Sequence, residues 1–257
     1  MVLVLAAMLG LAVGSFLNVV VHRVPRNESL LRPRSHCPAC AEPVRHRHNV
    51  PVVGWLVLGG RCADCRTRIS VRYPLVELAT AALFVAITAR FGVTWALPAY
   101  LYLAAIAVPL ALIDLDLKRL PDRIVLPSYV IGAVLLLAAA VGTGDPRSAV
   151  RAVIAMSVLW CAYYVLAFTG GMGFGDVKLA GLLGLYLGWL GWSSVWVGTF
   201  TGFLLGGTVG VALLLTRRAT GKTAIPFGPS MLAGGLLAVF AAAPVADWYT
   251  SILYPAG

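Results

Sequence analysis

Acidic residues are scarce in this sequence. Only 10 of its 257 residues are Asp or Glu, against 20 Lys or Arg, and charged residues together make up 12%. A soluble globular domain carries about 25% charged residues, so the composition excludes that class. The high hydrophobic fraction of 60% and the mean hydropathy of +0.88 instead indicate a polytopic helical membrane protein.

We expect neither a signal peptide nor internal repeats in this sequence. The first apolar run, 2–21, has no basic stretch before it and no small-residue cleavage site after it, so we expect a retained membrane span and not a signal peptide. No internal repeat or low-complexity segment is evident. The net charge of +10 does not predict a nucleic-acid partner, because in a membrane protein the distribution of charge matters more than its sum.

Apolar segments of about 20 residues predict membrane-spanning helices. We expect an all-α protein of about eight such spans, at roughly 2–21, 73–89, 94–113, 124–142, 149–168, 177–193, 195–215 and 226–250. One substantial polar insertion interrupts them. The predicted domains are therefore a first transmembrane helix (1–22), a cytoplasmic insertion (23–72) and a transmembrane core (73–257).

The basic residues predict the orientation. Seventeen of the 20 Lys and Arg residues fall in four alternate loops, 22–72, 114–123, 169–178 and 216–225. Since basic loops stay in the cytoplasm, we expect the N-terminus outside. This topology places Asp114 and Asp176 at the same cytoplasmic edge of the membrane.

Asp176 lies in a glycine-rich break between apolar segments, Gly170-Gly171-Met172-Gly173-Phe174-Gly175-Asp176-Val177-Lys178. An ionisable residue at such a break is a functional-site hypothesis by default. Asp114 and Asp116 are placed at the edge of a span in a similar way. In two close carboxyl groups one keeps a proton while the other activates a water, as in aspartic proteases. Neighbouring glycines would let an extended substrate backbone approach the acid.

A simpler interpretation is that these acids only end helices at the membrane interface, where charge is tolerated. We favour it for Asp116 and Asp122, and favour chemistry for Asp176. Asp114 and Asp116 cannot both face one partner, because residues two apart on a helix point in different directions.

The cysteines are grouped as two CxxC pairs, Cys37/Cys40 and Cys62/Cys65, with 21 residues between the pairs. This spacing is typical of a structural zinc site. Four thiolates close the coordination shell, so zinc here would fold the insertion and would not catalyse.

Several motifs, in order, resemble those of the type IV prepilin peptidases. Gly173-Phe174-Gly175-Asp176 is the GxGD signature, and 114–122 resembles the family's Asp…Leu-Pro-Asp element. Further similar segments are Gly14-Ser15-Phe16-Leu17-Asn18, His22-Arg23-Val24-Pro25, Arg72-Tyr73-Pro74-Leu75-Val76-Glu77-Leu78 and Ile225-Pro226-Phe227-Gly228-Pro229. By position, the resemblance implies Asp114 and Asp176 as the catalytic acids. Motif-supporting or substrate-binding residues would be Gly173, Gly175, Lys178, Asp116 and Asp122.

The resemblance further implies a bacterial inner-membrane enzyme of type IV pilus or type II secretion systems. It would remove the leader peptide of prepilins and pseudopilins after a glycine at the cytoplasmic face. Many members then methylate the new N-terminus with S-adenosylmethionine, a function that the resemblance assigns to the insertion. Anionic lipids are the other expected partner, since they attract basic segments.

The insertion departs from the family pattern in two places. His48-Asn49-Val50-Pro51 stands where many members have Asp-Asn before the Ile/Val-Pro, and Gly54 stands where a serine is common. No glycine-rich cofactor loop on an alternating strand and helix pattern is present, so the sequence does not locate an S-adenosylmethionine site. A peptidase without methyltransferase activity is therefore one competing hypothesis.

Two further hypotheses are a transporter that binds ions at Asp114 and Asp176, and a zinc-anchored scaffold. A transporter would place such acids near the bilayer midplane and within repeated halves, which the sequence does not indicate. A closer alternative is an archaeal preflagellin peptidase. Such an enzyme typically lacks the four-cysteine insertion that this chain has, so the insertion disfavours it.

Overall fold

The computed structural model describes residues 1–32, 35–170, 172–217 and 225–253. Gly171 and residues 218–224 of the basic loop 216–225 lie outside these ranges. The described residues form helices, with two isolated β-bridges and no strand, which confirms the all-α prediction. The α-helices in these ranges are α1 (Val2–Arg23), α2 (Val53–Val57), α3 (Arg72–Phe91), α4 (Leu97–Leu117), α5 (Asp122–Thr143), α6 (Pro146–Phe168), α7 (Phe174–Leu190), α8 (Trp192–Leu215) and α9 (Gly228–Leu253).

The eight long helices correspond to the eight apolar segments of the sequence. Seven of them, all except α7, are long and apolar enough to cross a membrane. Two expected boundaries differ: α4 continues past residue 113 through Asp114 and Asp116 to Leu117, and α7 begins at Phe174, before Asp176. Helix α4 has no breaker in this stretch, and it ends where Lys118 adopts a φ of +53°.

The chain divides into two compact units, residues 1–109 and 110–257. In the first unit, α1 packs closely against α3 through two glycines one turn apart. A Cβ at Gly10 would lie 2.6 Å from Ala81 Cα, and one at Gly14 would lie 2.7 Å from Glu77 Cα. Small residues four apart allow such close approach of membrane helices.

The polar insertion of the first unit contains two similar turns, one around each cysteine pair. The bridge between His36 and Pro43 closes the first turn, and the bridge between Arg61 and Arg68 closes the second. The residue after the second cysteine of each pair, Ala41 or Arg66, has a φ of +60°. The chain therefore doubles back on itself twice, presenting both pairs from matching loops.

In the second unit, α7 is the central helix. It contacts α5, α6, α8 and α9, and its buried residues run without interruption from Leu179 to Trp189. A helix that is apolar on all sides is expected in such a buried position. Its glycines admit the neighbouring helix α6: a Cβ at Gly184 would lie 2.6 Å from the carbonyl oxygen of Ala155.

The carboxyl end of α7 is held by Arg151 of α6. The Arg151 Nε donates to the carbonyl of Gly188 at 2.7 Å, and its Nη2 donates to that of Trp189 at 2.6 Å. A cation at this end of a helix satisfies carbonyls that have no partner within the helix. This contact fixes one end of α7, and Asp176 lies in the first turn at the other.

Candidate catalytic site and metal cluster

Asp114 lies in the last turn of α4 and is 4% exposed. Its Oδ2 accepts a hydrogen bond from the backbone N–H of Gly228 at 3.0 Å. Gly228 is the first residue of α9, where backbone N–H groups have no partner within the helix and favour an anionic group. The amino end of α9 therefore orients the Asp114 carboxyl.

Asp176 occupies the first turn of α7, three residues after the N-cap Gly173. Its carboxylate accepts a hydrogen bond from the backbone of Gly173, and its own N–H donates to the Gly173 carbonyl at 3.0 Å. An acid that reaches back in this way resembles one half of a capping box. The side chain is half-buried, in contrast to that of Asp114.

Asp114 and Asp176 lie on either side of Leu120. Leu120 contacts the backbone around both, since a Cβ at Gly175 would lie 3.3 Å from its Cβ and one at Gly228 would lie 3.4 Å from its Cδ2. One apolar side chain thus packs against the residue before Asp176 and against the residue that holds Asp114.

A salt bridge joins the sequence motifs that carry the two acids. The Lys178 Nζ lies 2.7 Å and 2.8 Å from the two carboxylate oxygens of Asp122, and 5.2 Å from the ring centroid of Phe174. In addition, the hydroxyl of Tyr129 on α5 donates to the carbonyl of Lys178 at 2.5 Å. Both contacts bind the start of α7 to α5.

Asp116 is exposed whereas Asp114 is buried, as expected for residues two apart on a helix. Tyr163 of α6 is a residue that the sequence did not indicate. It is 4% exposed, and its ring lies 5.7 Å from that of Phe203 on α8. Its position within an apolar helix carries no local signal, so only the packing of α6 on α7 identifies it.

The four cysteines form one cluster, as their spacing predicts. All four Sγ atoms lie within 4.8 Å of one another, with 3.7 Å between Cys37 and Cys65 and 4.0 Å between Cys40 and Cys62. Tetrahedral zinc with Zn–S bonds of about 2.3 Å requires sulfur–sulfur separations of about 3.8 Å. The residues therefore fit a structural zinc ion.

The thiols of the cluster differ in acidity. Hydrogen bonds with Thr67 lower the pKa of Cys65 to about 6. Although a backbone hydrogen bond at Glu42 opposes the change, desolvation and the three neighbouring thiols raise the pKa of Cys40 to about 12. Since a metal binds thiolates, its binding must release protons from this cluster.

The glycine at position 54 has a steric basis in this chain. A Cβ at Gly54 would lie 2.1 Å from the carbonyl oxygen of His48. This separation is shorter than any real contact of a Cβ, so a serine would require the loop to move. The tight packing of His48 against α2 therefore explains the glycine.

Comparisons with known proteins identify the family of the chain. Residues 8–91 match the bacterial peptidase A24 N-terminal domain, and residues 99–215 match the type IV leader peptidase family. The chain is 37% identical to a prepilin leader peptidase/N-methyltransferase of Aeromonas hydrophila, over 95% of this chain and 92% of the relative. It is 40% identical to one of Neisseria gonorrhoeae, over 90% of this chain and 87% of the relative. No solved structure is a significant match. The chain belongs to the type IV leader peptidase family.

Proposed function

We propose that this chain is a membrane aspartyl peptidase that removes the leader of prepilins and pseudopilins, with Asp114 and Asp176 as its catalytic pair. The observation that supports the proposal is the placement of two carboxyl groups on either side of Leu120, one held by the amino end of α9 and the other by the Gly173 backbone. Family membership and the names of the relatives support the same reaction.

The reaction needs one carboxyl group protonated and the other ionised. The ionised group takes a proton from a water, which attacks the carbonyl carbon of the scissile glycine. The protonated group donates to the leaving amide nitrogen, so the peptide C–N bond breaks and a carboxylic acid and an amine form. Gly173 leaves room for an extended substrate chain beside Asp176, since a Cβ there would meet only the Asp176 carboxylate. Gly175 instead supports the motif by its packing against Leu120.

The inner membrane is the expected location, and we infer that the active site faces the cytoplasm. The 17 Lys and Arg residues of the four alternate loops support this orientation, with the N-terminus outside. The same basic loops would bind anionic lipid headgroups, with attraction of about 1 kcal/mol per basic residue. Under this proposal the net positive charge binds the anionic membrane surface, and we expect no nucleic-acid partner.

We further propose that the insertion 23–72 folds around one structural zinc ion at Cys37, Cys40, Cys62 and Cys65. The relatives are named as N-methyltransferases, and on that basis the chain would also methylate the new N-terminus using S-adenosylmethionine. This second activity depends on the name of the relatives and on a ligand-sized cavity in the first unit.

A single experiment tests both activities. The purified chain in detergent is incubated with a prepilin-like peptide and S-adenosylmethionine, and the product N-terminus is analysed by mass spectrometry. We expect cleavage after the glycine and the added mass of one methyl group. An intact peptide would contradict the peptidase, whereas a cleaved and unmethylated product would contradict only the methyltransferase.

A further inference from the structure

A cavity of about 800 Å³ lies within the first unit, between the facing ends of α1 and α3 and the cysteine turns. Its wall combines the aromatic side chains of Trp55 and Tyr73 with basic side chains, among them Arg23 and Arg45, and acidic ones, among them Glu77. Small-molecule sites occupy about 300–1,000 Å³ and combine aromatic walls with a few polar groups. The cavity thus has the size and composition of a ligand site.

Glu77 is the buried acid of this cavity. It is 7% exposed, and its Oε2 accepts a hydrogen bond from the backbone N–H of Val52 at 2.7 Å. Among the residues that the structure describes, no Lys, Arg or His forms an ion pair with it. A buried carboxylate without a counter-charge is unfavourable, so the arrangement suits a ligand that supplies the positive charge.

The backbone that donates to Glu77 is strained. Val52 has a φ of +61° and a ψ of −51°, a conformation that is rare for a β-branched residue. Strained backbone of this kind is found preferentially at ligand and active sites, where the surrounding structure maintains it. The adjacent backbone is closely packed, since a Cβ at Gly54 would clash with the carbonyl oxygen of His48.

We infer that Glu77 binds the positive charge of a ligand in this cavity. Two cations are expected in the proposed methyl transfer, on which this inference rests: the S-adenosylmethionine sulfonium and the α-ammonium of the newly formed peptide N-terminus. The donor supplies a methyl group, so a C–S bond breaks and an N–C bond forms at the amine, whose proton leaves to solvent. Glu77 is a binding residue in this scheme and receives no proton.

Direct binding measurements test the role of Glu77. Calorimetric titration of the full-length protein in detergent compares wild type with Glu77→Gln. The probes are S-adenosylmethionine, the uncharged thioether S-adenosylhomocysteine, and a mature pilin peptide with a free or an acetylated N-terminus. We expect the variant to bind at least one cationic probe at least tenfold more weakly, because a buried charge pair is lost.

The uncharged probes distinguish the two cations. If Glu77→Gln binds S-adenosylmethionine more weakly but binds S-adenosylhomocysteine normally, Glu77 contacts the methyl donor. If it binds the free peptide more weakly but binds the acetylated peptide normally, Glu77 contacts the methyl acceptor. Asp247→Asn is the control, since this exposed acid lies on α9, outside the cavity, and its binding should equal that of wild type. Equal affinities of wild type and Glu77→Gln for every probe would overturn the inference.

A measurement on the wild type covers the case in which Glu77→Gln does not fold. Carbodiimide-coupled labelling of Glu77, followed by mass spectrometry, should decrease when a cationic probe saturates the protein, and undiminished labelling contradicts the inference. A wild-type protein that cleaves prepilin but binds no probe would refute methyl transfer and this inference together, and would leave the peptidase proposal intact.

Discussion

The backbone N–H of Gly228 donates to the Oδ2 of Asp114 at 3.0 Å, across 114 residues of sequence. A Cβ at position 228 would lie 2.6 Å from the same oxygen, so the contact requires glycine. This hydrogen bond therefore connects the Pro-Phe-Gly-Pro motif near the end of the chain to the first acid of the proposed pair.

Gly228→Ala should displace the Asp114 carboxyl and lower kcat/KM for a prepilin peptide roughly 10- to 100-fold, since small misplacements of a catalytic group have effects of that size. The matched control is Gly207→Ala, because a Cβ at this helical position of α8 meets nothing within 4 Å. The control should retain wild-type kinetics. Equal activity of Gly228→Ala and wild type would show that this hydrogen bond does not position Asp114.

The salt bridge between Lys178 and Asp122 should affect activity more than stability. The Asp122 side chain is 55% exposed, and exposed ion pairs contribute only about 0–1 kcal/mol. Because Lys178 lies two residues after Asp176, however, loosening the start of α7 should lower kcat about tenfold, or 1.4 kcal/mol in the barrier. We expect this loss of kcat for both Asp122→Asn and Lys178→Met. A thermal melt of each variant should show little change in stability.

The charge-exchanged double variant, Asp122→Lys with Lys178→Asp, is the control for that pair. It should recover part of the activity that Asp122→Lys and Lys178→Asp each lose alone. If the double variant is no more active than the less active of these two, the side chains act separately and the positioning role is wrong.

Much of the fold was predictable from apolar segments alone, because each long helix of a membrane protein must be a continuous apolar run. The environment of α7 was not predictable from the sequence. Because this helix is apolar on all sides, its hydrophobic periodicity does not indicate which helices surround it. The cysteine cluster was predictable because local CxxC spacing determines it. The contacts of Asp114 with Gly228 and of Glu77 with Val52 join distant segments, and no local pattern indicates them.

The metal prediction concerns the cysteine cluster. Protein purified without chelator should contain one zinc per chain, and Cys37→Ser with Cys40→Ser should remove it. Since zinc binding and folding of such loops are coupled, trypsin should then cut residues 23–72 faster than in the wild type. Cys161→Ser, outside the cluster, should keep both zinc and protease resistance, and a wild-type protein without zinc would contradict the prediction.

Recruitment of the substrate should depend on its apolar segment more than on its basic leader. The leader and the enzyme's basic loops carry like charge, so they repel each other, whereas both are attracted to anionic lipids. In anionic bilayers, kcat/KM should fall more when the apolar segment is shortened than when the leader is neutralised. Sensitivity to the leader alone would mean that the acids near the site, such as Asp116 and Asp122, recruit the substrate.

The most direct test of the account is cleavage of a prepilin peptide by three matched Asp→Asn variants, each checked for membrane insertion and folding. Asp114→Asn and Asp176→Asn should each lose activity by on the order of 10³-fold or more, because proton transfer needs both carboxyl groups. Asp116→Asn, which changes the exposed acid two residues away, should keep measurable activity. An inactive Asp116→Asn beside an active Asp114→Asn would contradict the proposed catalytic pair.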